Sequence, residues 1–293
     1  MAVPQPQRLT PEQSAFFDTV RGSGAAILAA LHAFAVFDAR LATLGTTLGY
    51  IWLHMFFVLS GFLIYAAFGR YDVRSFLWQR ALRIVPPFLI AVTLTVMVWA
   101  LAPLFFSSGS QTFMHPTNRA GIELTYLPST LLMINGLLGG TLSANGPLWS
   151  LAFEVWLYGI AALCVAGGRW RWIAWCTIAL ITFRNLGFIS YGLAWAAGWV
   201  WASLHAQGRL SVPGWHLGLF VSVAPYSYAL YITHFPLLLF LYGAWGERIW
   251  TGPFAFALVV ALNAWLGPAI EKSGPSLAAW WNARARSKTT AQA

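Results

Sequence analysis

Charge is scarce in this chain. Only 9% of its 293 residues are Asp, Glu, Lys or Arg, against about a quarter in ordinary soluble domains. So little charge excludes a protein that presents its whole surface to water. Cysteine is nearly absent as well. Cys164 and Cys176 are the only two, which excludes a disulfide framework and a zinc site built from cysteine alone. Both lie in apolar runs and are expected to pack there as small buried groups. Those runs also lack period-two alternation. Membrane strands are thereby excluded, because an open sheet edge cannot satisfy its backbone in lipid.

What is present is apolar. Hydrophobic residues make up 59% of the chain, and the mean hydropathy is +0.65. Apolar runs extend over Gly24 to Phe37, Tyr50 to Phe68, Ile84 to Phe106, Leu148 to Ala166, Trp170 to Phe183, Leu186 to His205, Leu217 to Tyr242 and Pro253 to Leu266. Crossing a hydrocarbon core of about 30 Å takes roughly 20 helical residues, so most of these runs predict spanning helices. The expected fold is all-α, a polytopic helix bundle forming one transmembrane domain over residues 1–293. A proline-containing cytoplasmic tail over residues 1–20 and a basic tail over 282–293 are expected to be disordered.

The formal charge of +9 would suggest nucleic acid if it were clustered on one soluble face. Its distribution predicts no nucleic-acid partner. With a cytoplasmic amino terminus and eight single crossings, the outer side receives only Arg40, Arg119, Arg184 and Arg248, and the inner side the rest of the 17 basic residues. That is the asymmetry the positive-inside rule describes, and it places both termini in the cytoplasm. A ninth stretch, Ile122 to Gly140, is interrupted by Glu123, Pro128 and Asn135. It is expected to be re-entrant or interfacial rather than spanning.

Ionisable groups within a span are costly, so each marks a candidate site. Asp18, Arg21, Ala25, Leu28 and His32 fall at helical spacing. The eleven residues from Arg21 to His32 make about three turns and a rise of about 16 Å, so the two share a face at different depths. Ser150, Glu154 and Tyr158 form a second stripe, and Ser227, Tyr231 and His234 a third. His54 and Ser60 lie on another run, where Gly61 permits close helix approach. His32, Glu154 and His234 are expected at roughly one depth. His54 reads equally well as a packing residue, while His115, His205 and His216 fall in loops or at span ends where solvation or interface anchoring is the simpler reading. The tryptophans fit interfacial belts better than a carbohydrate platform.

Five strings in order, with a sixth and weaker one after them, extend the reading. DTVRGSGAAILAALHAF, from Asp18 to Phe34, resembles the first span of acyltransferase family 3, the bacterial membrane O-acyltransferases, whose hallmark is an arginine, ten residues and a histidine; Arg21 and His32 match it. FFVLSGFLI is similar to the family's second-span signature, and SFLWQRALRIVPPF to its arginine-rich loop, which places Arg80 and Arg83. PLWSLAFEVWLYG resembles the tryptophan, serine and glutamate segment, placing Trp149, Ser150 and Glu154. SYALYITHFP resembles the late histidine motif and places His234, and AIEKSGP near Glu271 is similar to a weakened closing motif. Members usually have about ten spans, so the expectation here is about 8 to 10, the missing pair being absent or concealed around Ile122 to Gly140.

The resemblance implies an O-acyltransferase in the bacterial inner membrane with no bound cofactor or metal. Acyl-CoA, acetyl-CoA in the simplest case, would be the co-substrate, and a hydroxyl of a carbohydrate or lipid-linked glycan the acceptor. His32 would be the base or acyl carrier, Glu154 would orient it, His234 would carry a second proton or polarise the thioester carbonyl, and Arg21 would complete the catalytic set. Arg80 and Arg83 would grip the donor's phosphates, with Ser60, Trp149, Ser150 and Tyr231 lining the substrate sites. The rival reading is a proton-coupled transporter or glycolipid flippase, since intramembrane His and Glu also build proton relays. The matched inverted halves common in transporters are not visible here.

Overall fold

The computed structural model describes residues 9–38, 42–112, 122–246 and 251–290. Arg40, His115, Arg119 and Arg248 lie outside them. The described chain is helical throughout, with one isolated bridge between Asn135 and Gly139 and no named strand among the described residues. The long helices are α1 (Pro11–Phe37), α2 (Ala42–Phe68), α3 (Val73–Phe105), α5 (Leu148–Ala166), α6 (Arg169–Arg184), α7 (Gly187–Ala206), α9 (Ser227–Trp245) and α10 (Thr251–Thr290); α4 (Leu127–Leu131) and α8 (Gly218–Val221) are short. Every apolar run of the sequence is thus a helix or contains one.

Among the described residues six segments are long and apolar enough to cross a membrane, against the 8 to 10 spans expected. The 16 residues of α6 rise only about 24 Å at 1.5 Å each. The 20 residues of α7 have the length, but Ser190, Tyr191, Gly192, Ser203 and His205 dilute its apolarity.

Both tails start or stop elsewhere than expected. α1 begins at Pro11, within the predicted disordered tail, because Thr10 and Gln13 form a reciprocal capping box and proline opens the helix; proline at the first helical position loses no hydrogen bond. At the other end α10 continues to Thr290, through most of the predicted basic tail. The arginine-rich segment is also not a loop. Asp72 caps α3, its carboxylate accepting from the backbone N–H (3.0 Å) and hydroxyl (2.8 Å) of Ser75, and those bonds hold its pKa below the usual value. Arg80 and Arg83 therefore sit one helical turn apart on α3 and project to the same side.

Residues 122–147 form no spanning helix. They fold as turns around α4 and a short 3-10 turn at Ser143–Asn145, pinned to the bundle by buried polar bonds. Asn145 donates from Nδ2 to Thr95 Oγ1 (3.2 Å) on α3 and to the Ile232 carbonyl (3.0 Å) on α9, while Trp156 on α5 donates from Nε1 to the Met133 carbonyl (2.8 Å). Irregular backbone of this kind is tolerated at membrane depth only where protein covers it. Leu217 to Tyr242 is likewise not one continuous helix. It breaks between α8 and α9 where Pro225, which has no N–H to donate, sits in a 3-10 turn.

Helices α2 and α7 cross in close backbone contact. A Cβ on Gly61 would stand 1.9 Å from the Trp195 carbonyl oxygen, and one on Gly198 1.8 Å from that of Val58, so the two backbones touch as small-residue interfaces allow. Gly61→Val is expected to wedge the helices apart and cost about 1–3 kcal/mol, the usual scale of overpacking. A lower melting temperature in detergent would show it; a melting curve equal to the wild type's would contradict so tight a contact.

Candidate active site

Helices α1, α2, α3, α5 and α9 enclose a cavity of about 400 Å³. Its polar lining comes from residues far apart in sequence: Arg21 of α1, Ser60 of α2, Arg80 and Arg83 of α3, Ser150, Glu154 and Tyr158 of α5, and Ser227, Tyr228 and Tyr231 of α9, with Arg70 from the turn after α2. Phe56, Phe57, Leu53 and Leu63 supply apolar wall. Seven of the ten residues expected in the site (Arg21, Ser60, Arg80, Arg83, Ser150, Glu154 and Tyr231) therefore do meet.

The cavity is rich in cationic donors. Arg21 spends one N–H on Asp18, Nη2 to Oδ1 at 3.1 Å, but its Nε is buried without a partner, and so is Nε of Arg80. The Arg80 guanidinium also lies 5.6 Å over the ring of Phe76 and 5.9 Å over that of Tyr158, within cation–π range. Buried guanidinium donors are costly when left unmade, and arginine's planar fork matches phosphate and carboxylate. The unspent donors suit an anionic ligand.

Glu154 is engaged away from the histidines. Ser60 Oγ donates to its Oε1 at 2.7 Å, and the Tyr158 hydroxyl donates to the same oxygen. The expectation that Glu154 holds His32 is not met, because which side chain faces which depends on helix rotation in the bundle and not on shared depth. His32 instead meets His234. Their rings stack with centroids 5.0 Å apart and planes 12° from parallel, and His32 Nδ1 lies 2.8 Å from His234 Nε2. Behind them His234 Nδ1 lies 3.0 Å from the Leu230 carbonyl, and Phe235 packs edge-on against His32 at 5.4 Å.

Neither histidine lines the cavity, but its floor comes against His234. The Tyr231 ring is 6.0 Å from that of His234 and 6.2 Å from that of Phe56, and the Phe56 ring lies over Gly24 of α1, 2.5 Å from where a Cβ would stand. Tyr231 is fixed by its hydroxyl, which donates to the Pro147 carbonyl (2.9 Å) and contacts Ser150 Oγ. Arg21 thus belongs with the basic cavity and not with His32, as the rise between them along α1 requires.

Trp149 takes no part in the lining. It packs on Phe153 and Tyr191 at 5.0 and 5.2 Å. Its neighbour in that aromatic group, His54, stacks on Tyr191 at 4.4 Å, in keeping with its packing role. His205 is buried rather than solvated, with Nδ1 3.1 Å from the Leu210 carbonyl. Cys176 is exposed on α6 and Cys164 is half-buried, so neither is a core residue.

The sequence reading left two contributors without a role. Tyr158 stood in the α5 stripe but received no role, although the i, i+4 spacing from Glu154 was the signal. Glu271 of α10 accepts the backbone N–H groups of Tyr228 (3.0 Å) and Ala229 (3.4 Å), capping from another helix the end of α9 that carries Tyr231 and His234. No local pattern announces a cap supplied by a distant helix.

The all-helical bundle thus sets an arginine-lined cavity beside a histidine pair, a lining that suits an anionic ligand. The family model described as an acyltransferase domain matches residues 14–204, more than half of the chain. The chain belongs to acyltransferase family 3 and is a membrane acyltransferase. The match takes in Arg21, His32, Arg80, Arg83 and Glu154, while His234 and Glu271 lie beyond it. Comparison with curated proteins and with solved structures returned no match.

Proposed function

We propose that the protein transfers an acyl group, acetyl in the simplest case, from acyl-CoA to a hydroxyl of a carbohydrate or lipid-linked glycan at a bacterial inner membrane. The observation that carries this reading is the convergence of Arg21, Arg80 and Arg83 on one cavity whose floor, Tyr231, rests against His234, the partner of His32. The arginines grip the donor's phosphates from the cytoplasmic side, the apolar wall takes the pantetheine arm, and the thioester comes to Ser150 and Tyr231. Phe56 then turns aside to admit the acyl carbon to His32.

A sugar hydroxyl is a weak nucleophile near neutral pH and needs a base within hydrogen-bond reach. In direct transfer His32 takes the hydroxyl proton as the oxygen attacks the thioester carbon. The C–S bond breaks, and the coenzyme leaves as a thiolate that receives the proton. The same ring also allows a two-step route in which its nitrogen carries the acyl group. Glu154 holds the hydroxyls of Ser60 and Tyr158 in place along the donor's path.

Comparative mass spectrometry of surface and lipid-linked glycans, from cells with and without the protein, tests the reaction. A mass difference of one acyl unit on a glycan is expected. Identical glycan masses, together with proton-coupled uptake or export that depends on His32, would transfer the assignment to the transporter reading.

A further inference from the structure

We infer that His234 is a positioning residue that fixes the tautomer of His32, leaving Nε2 of His32 as the bare nitrogen that takes the hydroxyl proton or the acyl group. This deepens the acyltransferase reading and rests on it for the chemistry, although the tautomer itself follows from hydrogen bonding alone.

A backbone carbonyl can only accept a hydrogen bond. The Leu230 oxygen lies 3.0 Å from His234 Nδ1, so that nitrogen carries the proton; a bare nitrogen there would set lone pair against lone pair. In a neutral imidazole the other nitrogen is then the acceptor. His234 Nε2 therefore presents its lone pair to His32 Nδ1, 2.8 Å away, and His32 Nδ1 must be the N–H. Nε2 of His32 is left without a proton.

The alternative, an imidazolium at position 234 donating from both nitrogens, would be an uncompensated charge on a fully buried ring. Among the described residues no carboxylate is hydrogen-bonded to either histidine. His234 has no exposed surface and His32 is partly exposed, so only His32 can be reached by substrate. The near-parallel stack fixes the plane of the His32 ring as well as its tautomer. The arrangement does with a second imidazole and a carbonyl what an acidic group does in a hydrolase triad, where the partner selects the base's tautomer and orientation.

The test uses full-length protein carrying nitrogen-15 histidine, in lipid nanodiscs near neutral pH. Imidazole nitrogen spectra distinguish the two neutral tautomers, and the His32 signals are those lost in His32→Gln. Wild type is expected to show His32 protonated at Nδ1, and His234→Ala a mixture in which the Nε2–H form appears. Acyl transfer should fall at least about a hundredfold in His234→Ala, the scale of a misplaced base, with acyl-CoA affinity unchanged. His234→Gln puts an amide oxygen near the place of Nε2, so it should restore the tautomer and recover most of the lost rate, although an amide cannot carry a proton.

Wild-type His32 protonated at Nε2 would overturn the inference. So would a glutamine variant that keeps the Nδ1–H tautomer yet is as inactive as alanine, because that marks His234 as a proton carrier. The spectra need no substrate. A correct tautomer in a protein that acylates nothing would therefore sink the acyltransferase reading and leave the tautomer standing, and the reverse result would do the opposite.

Discussion

Replacing His32 with glutamine is expected to lower acyl transfer at least about a hundredfold, the usual contribution of a general acid–base group, while the protein still inserts and accumulates. Glutamine keeps the polarity and approximate bulk of the site but has no nitrogen that accepts a proton near neutral pH. Alanine at the same position should lose as much, since alanine is well tolerated in a helix and neither variant offers a base. His32→Asn is the more discriminating companion. Its amide can donate to His234 Nε2 from near the place of Nδ1, preserving the contact that now spans 2.8 Å without the reactive nitrogen. If the contact alone mattered, asparagine would be active; loss in all three variants assigns the effect to the base. Glycan acylation per unit of folded protein is the readout, and near-normal acylation by the glutamine variant would remove His32 from the chemistry.

The second large effect is expected at the donor end. Arg80→Ala combined with Arg83→Ala should weaken acyl-CoA binding by at least about tenfold, since each phosphate contact by a guanidinium is a charge-assisted hydrogen bond whose loss costs about 1.5–3 kcal/mol where water is excluded. The two arginines lie on successive turns of α3 and line one cavity, so the double variant removes neighbouring donors from one ligand. Arg80 is the deeper of the pair and holds a buried Nε with no partner, so it should account for more of the loss than the exposed Arg83. The rival role is anchoring the start of α3 to anionic lipid, which would alter membrane attachment and leave donor affinity alone. Calorimetric titration of purified double variant with acyl-CoA separates them, and unchanged affinity in a well-folded sample would end the donor assignment.

The features that the sequence made legible are those with a local signature. The eleven-residue offset from Arg21 to His32 put both on one face of α1 and one far above the other, and the structure keeps them on α1 but in different compartments. Glu123, Pro128 and Asn135 marked a segment expected not to span, and it forms no spanning helix. The start of α1 was equally legible, since Thr10, Pro11 and Gln13 spell a capping box with proline at the first turn, but the prolines nearby suggested a tail. Contacts between helices were less accessible. Periodicity places a side chain on a face without saying which helix that face meets, so Glu154 was assigned to His32 when α2 had brought Ser60 to it. Glu271 capping α9 and the pairing of His32 with His234 across 202 residues depend on the same long-range packing.

Inverted membrane vesicles supplied with acyl-CoA labelled in its acyl group put the central claim to the most direct test. The cytoplasmic face of such vesicles is outward, so a cavity that opens to the cytoplasm, as proposed, meets the donor without its crossing the bilayer. Vesicles containing the wild-type protein should move label into the glycan fraction in an ester that mild base releases, and vesicles containing His32→Gln should not. Label that never enters the glycan fraction with wild-type protein, or that enters equally with both, would contradict transfer by His32 from a donor bound in this cavity.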